Sequence, residues 1–131
     1  MSPTLAALGP LVSRLLLSAV FFYSGYQKFA ATGRAASSIT GRGLPFATAG
    51  AYAAGAFELT AALLLVFGLR ARPAALAAFG YLVFVSFLFH WHPAVRGDHA
   101  QVLHLLKNAG IAGGMLLLAS HGPGTMSLDR G

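Results

Sequence analysis

Lys28, Glu58, His90 and Lys107 each stand in or at the end of a long apolar run. A charge inside a bilayer costs a few kcal/mol or more, so such residues face protein, reach for a headgroup or serve a function. Glu58 is the sharpest case, about twelve residues into its run and near the middle of a span of roughly 20 residues. Ala51, Ala54, Gly55, Ala61 and Ala62 share its face and let another helix approach closely. A carboxylate at that depth is either neutralised by a proton or paired with a cation. It then serves as a proton carrier or ligand contact, or as half of a structural ion pair. Counted by depth along straight helices, the candidate partners are Arg14 and Lys107, each about 10 Å away at 1.5 Å per residue. Arginine is the better permanent partner, whereas a buried lysine can give up its proton and join in chemistry.

Four apolar runs must position these groups, over about residues 11–29, 46–69, 74–91 and 102–120. Each is close to the roughly 20 residues that cross the hydrocarbon. The expectation is an all-α, integral membrane antiparallel four-helix bundle, a single domain over 1–131. The first run is too long for a cleavable signal and ends in GYQKF without a small-residue cleavage pattern. Pro73 can open the third helix, because its missing N–H would be an orphan there. The second and third helices therefore form a tight hairpin. An even number of spans places both termini on one side, with Arg14, Arg70, Arg72 and Arg130 against Lys28, Arg34, Arg42 and Arg96 on the other. The positive-inside count is nearly balanced, and we place both termini in the cytoplasm. The first long connection, with Gly33, Gly41, Gly43 and Pro45, is expected to cap the bundle or stay mobile.

Composition agrees with this class. Hydrophobic residues make up 56% of 131 residues and DEKR only 9%, and mean hydropathy is +0.69. That balance cannot cover a water-facing surface, yet it suits a lipid-facing one. The net charge of +6 is scattered singly between apolar runs, which points to topogenic and headgroup contacts rather than nucleic acid. The absence of cysteine excludes a disulfide relay, an Fe–S cluster, a thiolate nucleophile and covalent haem. Electron transfer would require a bound organic cofactor or a histidine-ligated metal.

In the first helix Arg14, Ser18, Phe21, Gly25 and Lys28 follow steps of 4, 3, 4 and 3, one stripe that should face protein. The fourth helix opens with His104, Lys107 and Asn108 at i, i+3 and i+4, then Gly110, Gly113 and Gly114; helix packing explains the glycines but not the three polar residues above them. His90, His92, His99 and His104 belong to one membrane face. His-x-His at a helix end could place two imidazoles near one metal ion. Trp91 in the interfacial aromatic belt, with histidines meeting water, explains the same residues without a metal. Proton exchange near neutral pH is a third reading.

These residues sit in segments that together resemble the DoxX family of small four-helix membrane proteins. The segments are RLLLSAVFFYSGYQKF, GLPF, AGAFELTAALLLVFGLRAR, FLFHW, LLKNAGIAGGMLLLASHGPG and SLD, in that order through most of the chain. The resemblance implies a cytoplasmic-membrane protein in a family whose named member is a subunit of a thiosulfate:quinone oxidoreductase. Its recurring polar positions correspond here to Arg14, Lys28, Glu58, His90 and Lys107. His92, His99 and His104 have no place in that pattern.

The leading expectation is a quinone-interacting subunit of a membrane redox complex, embedded in lipid beside a redox partner and open to homo-oligomerisation. Glu58, His90, Lys107 and Lys28 are the candidate catalytic residues, since reduction of a quinone takes up two protons that positioned side chains must supply. Arg14, Tyr23, Tyr26, Trp91 and Asn108 are the candidate contacts to the quinone, the aromatic ones flanking its ring. The alternatives are a structural or chaperone-like subunit held by buried ion pairs, and metal binding through His90, His92, His99 and His104.

Overall fold

The computed structural model describes residues 2–129, and every regular element in that range is helical. Helix α1 spans Pro3–Ala30. It starts well before the apolar run does, because the Ser2 hydroxyl accepts from the Leu5 N–H at 3.1 Å and Pro3 occupies the first turn. Helix α2, Thr32–Gly41, replaces the expected irregular connection with a short helix. Helix α3 covers Ala47–Phe67 and α4 covers Ala71–Val85, with Pro73 in its first turn. The chain then continues through a π-helical segment, Ser86–Trp91, a short α5, His92–Val95, and α6, His99–His121. Four stretches, Pro3–Ala30, Ala47–Phe67, Ala71–Val95 and His99–His121, are long and apolar enough to cross a membrane. Arg130, expected on the side of the termini, lies outside the described residues.

The bundle is made of two closely packed pairs, α1 with α3 and α4 with α6. Glycines set the first pairing: a Cβ at Gly25 would fall 3.1 Å from the Gly55 carbonyl, and one at Gly55 would fall 3.1 Å from Lys28 Cβ. Only backbones without side chains there can come so close. The core is built mainly from alanines, including Ala62, Ala75 and Ala78, around Phe21, Leu65 and Met115. Large apolar side chains such as Leu16, Phe84 and Leu106 are more than 60% exposed. Small inside and large outside is what a lipid solvent permits, since helices in hydrocarbon gain from close packing rather than from hiding leucine.

Arg14 corrects an expectation. It is fully buried on the predicted stripe, but it neither pairs with Glu58 nor reaches a ligand cavity. Its guanidinium donates to the carbonyls of Leu65 and Val66 at 2.9 Å, to that of Pro123 at 3.0 Å, and to that of Met126. The first two are carbonyls from the last turn of α3, where the helix leaves acceptors unsatisfied and carries partial negative charge. The tail is tied down around it: Leu128 and Asp129 N–H groups donate to Phe67 and Gly68 carbonyls, and the Asp129 carboxylate accepts from the N–H groups of Arg70 and Ala71. Gly68 makes this possible. Its φ is +65°, and a Cβ there would lie 2.2 Å from that of Ser127 and 2.8 Å from the guanidinium.

Candidate functional site

At the other end of the bundle, Lys28 Nζ lies 3.0 and 3.1 Å from the two oxygens of Glu58 and 2.9 Å from the Ser24 hydroxyl. The pairing follows from side-chain direction. Each helical side chain leans toward the N-terminus of its own helix, and α1 and α3 are antiparallel, so Lys28 leans back past Ser24 while Glu58 leans toward it. Depth counted on Cα positions misses this convergence, which is why Arg14 and Lys107 looked equally placed. Both are corrections: Lys107 is exposed on α6, and its side chain makes no hydrogen bond or ion pair among the described residues.

A third group completes the cluster. The Tyr81 hydroxyl donates to Glu58 Oε1 at 2.5 Å, and its ring packs on Phe57 at 4.9 Å and edge-on to Phe21 at 6.1 Å. The Glu58 side chain is 4% exposed and that of Lys28 is 23% exposed. The carboxylate is therefore matched by one cation and one hydroxyl donor, the kind of pairing that a buried ionisable group needs in a low-dielectric interior. Sequence reasoning passed over Tyr81. The signal was there: it follows Ala74 and Ala78 on the buried alanine face of α4, and a tyrosine on such a face needs a partner for its hydroxyl.

This cluster lines a cavity of about 860 Å³. Its walls are largely apolar, from Val20 and Phe21 of α1 to Leu82 and Val85 of α4, and Ile39 of α2 closes one side. His90 and Asn108 line it as well. The π-helical turn carries His90 there; such turns insert a residue into an α-helix and re-aim the side chains they hold. Its loosened backbone is held by Arg42, which donates to the Phe89 carbonyl at 2.7 Å, and by Asn108, which donates to the Ser86 hydroxyl at 3.1 Å. His90 Nδ1 bonds Gln101 Oε1, and its ring stacks on that of His104 with centroids 5.1 Å apart. Arg42 and Gln101 are further residues the sequence did not single out.

The remaining candidates fall elsewhere. Tyr23 and Tyr26 lie off the buried stripe of α1 and are 69% and 62% exposed, and Trp91 packs on Phe87 at the surface, so none of the three lines the cavity. His92 and His99 are exposed, and the ring stack is formed by His90 and His104 alone among the described histidines. Among the described residues no three His, Cys, Asp or Glu side chains come together as a metal ligand set, because the π turn directs His90 inward and leaves His92 facing out.

The family model DoxX matches residues 9–91, the stretch that holds Lys28, Glu58, Tyr81 and His90. The inner membrane protein YphA of Escherichia coli is 31% identical over 92% of this chain and 87% of its own length. The inner membrane protein YqjF of the same organism is 34% identical over 93% of this chain and 90% of its own length. No solved structure is a significant match.

Proposed function

The chain belongs to the DoxX family, and from that premise we propose that it is the quinone-binding, proton-delivering subunit of a redox complex in the cytoplasmic membrane. One observation carries the reading: a cavity of ligand size within the bundle is apolar on most of its wall and polar at Lys28, Glu58, Tyr81, His90 and Asn108. Pockets of roughly 300–1,000 Å³ with a few fixed polar groups are the usual form of small-molecule sites. A quinone offers two carbonyl oxygens on an apolar ring, and this wall offers donors in apolar surroundings.

Conversion of a quinone to a quinol takes two electrons and two protons. The electrons come from a partner protein that oxidises an inorganic sulfur compound or a similar two-electron reductant. The chain's own part is binding and proton supply. The Lys28 ammonium and the His90 imidazole donate toward the two ring oxygens, and Glu58 holds Lys28 in place as its counter-charge. Gln101 Oε1 holds His90 Nδ1 and so leaves Nε2 free to donate, and both Lys28 and His90 regain their protons from water that reaches the cavity from the membrane face of the exposed His104.

The test is binding of a short-chain quinone by the purified protein in lipid nanodiscs, followed by His90→Gln and Lys28→Met. Saturable binding that both substitutions weaken per folded molecule supports the reading, and a wild-type protein that binds no quinone overturns it.

A second reading has its own observation. Lys28 and Glu58 meet directly and their donors and acceptors are matched, as expected of an ion pair that only holds the bundle. Exchange of the two charges, Lys28→Glu with Glu58→Lys, distinguishes the readings: restored folding with no quinone binding in the swap, from a wild type that does bind, makes the pair part of the site.

A further inference from the structure

Helices α1 and α6 touch only briefly. At the closed end of their seam Leu17 packs on Gly114, so tightly that a Cβ there would lie 3.0 Å from the leucine side chain. One turn earlier in α6 nothing comes within 4 Å of a Cβ added to Gly110, and the two helices have parted. Between them lies a second hollow of about 390 Å³, walled by Leu16, Leu17, Val20, Lys107, Gly110 and Ile111. Leu16 and Val20 are 67% and 44% exposed, so the hollow opens onto the lipid-facing surface. Val20 also lines the larger cavity, which makes it the side chain shared by the two spaces.

We propose that this seam is the passage for the hydrocarbon tail of the ligand whose head occupies the larger cavity, with Val20 as its gate and Gly110 as its opposite wall. The inference rests on the quinone reading and narrows its substrate class to membrane-borne, long-tailed quinones. A tail of several isoprene units outruns the cavity and must leave the bundle where the wall is apolar, thin and next to lipid. The α1–α6 seam meets those conditions, because the only charged group in its wall is Lys107. A lysine there lays its apolar stem along the groove and carries its ammonium toward the membrane surface. Gly110 keeps the groove open by lacking a side chain, a role distinct from the packing of Gly114 against Leu17.

The test uses two probes with the same quinone head, one without an isoprenoid tail and one with a long tail. Each is titrated as a mole fraction of lipid in nanodiscs holding the full chain. Leu16→Trp, in the wall of the hollow and outside that of the larger cavity, and, independently, Gly110→Phe, whose Cβ enters open space, are compared with the wild type. Both variants are expected to lose affinity for the long-tailed probe by about tenfold or more and to hold the tail-less probe within about twofold. Unchanged affinity for both probes overturns the passage and leaves the quinone reading standing. Equal loss of both probes places the damage at the head site and also overturns the passage. Failure of the wild type to bind either probe overturns both readings together.

Discussion

The Lys28 ammonium straddles the Glu58 carboxylate, 3.0 Å from one oxygen and 3.1 Å from the other. It is the one ion pair among the described residues and it joins α1 to α3. Breaking a buried pair from one side leaves an uncompensated charge, which costs about 3–5 kcal/mol. Lys28→Met is therefore expected to lower the detergent-unfolding midpoint strongly, and addition of Glu58→Leu to restore much of the loss. A double substitution no more stable than Lys28→Met alone would show that the two residues are not coupled.

Tyr81 supplies the other hydrogen bond to Glu58, and its ring is held separately by Phe21 and Phe57. Tyr81→Phe keeps the packing and removes only the donor, so the expected cost is about 1.5–3 kcal/mol, the range for a hydrogen bond to a charged group. Tyr81→Leu should cost more, because it also loses the aromatic contacts. Thermal unfolding of the two variants side by side separates hydroxyl from ring; equal destabilisation would assign the whole effect to packing.

Arg14 holds the C-terminal segment against the end of α3 through carbonyls on both. Arg14→Met is expected to destabilise the bundle by about 3 kcal/mol or more, since it strips a charged donor from several buried acceptors at once. It should also open residues 122–129 to protease, while the folded fraction keeps whatever ligand binding the wild type has. Arg14→Lys should rescue poorly, because one ammonium cannot span four carbonyls spread over two segments. Full protection of the tail in Arg14→Met would refute the clamp.

The buried stripe of α1 was legible because spacing alone determines a helical face: Arg14, Ser18, Phe21 and Gly25 are all buried where the steps of 4 and 3 put them. Glu58 was legible because a carboxylate amid alanines has no inexpensive location in a membrane. Its partner was not, since the choice of Lys28 over Lys107 depends on two side chains leaning toward each other across antiparallel helices. The role of Arg14 depends on the path of a tail that has no periodic pattern of its own. Helix α2 was hidden because Gly33 and Gly41 at its ends and Ser37 and Ser38 inside it are weak helix formers; its packing against α3 outweighs that preference.

Asp129 accepts from the N–H groups of Arg70 and Ala71 at 2.7 and 2.8 Å and so caps α4 from a distant part of the chain. Asp129→Ala is expected to cost about 1 kcal/mol, the usual worth of a helix cap. Asp129→Asn should retain part of it, because the amide oxygen still accepts but the favourable charge at the helix start is gone. The check is the unfolding midpoint of the three proteins at one lipid-to-detergent ratio. An Asp129→Ala protein as stable as the wild type would show that the cap contributes nothing.

Arg42 ties the end of α2 to the π turn by its bond to the Phe89 carbonyl, and both of these elements line the cavity. Removing it frees a carbonyl where the helical ladder is already irregular, so Arg42→Ala should loosen α2 over the cavity while the four spans keep their stability. The chain contains no cysteine, which allows a single reporter thiol to be placed at Ala35, a half-buried residue of α2 in the cavity wall. In the Arg42→Ala background that thiol is expected to react with a water-soluble maleimide about tenfold faster, corresponding to about 1.4 kcal/mol of lost closure if labelling follows the open population. Amide exchange over residues 32–41 should quicken with it, and exchange in α3 should stay unchanged. Identical labelling rates with and without Arg42 would mean that α2 is held by its packing on α3 alone, and that the guanidinium serves only the backbone of the π turn.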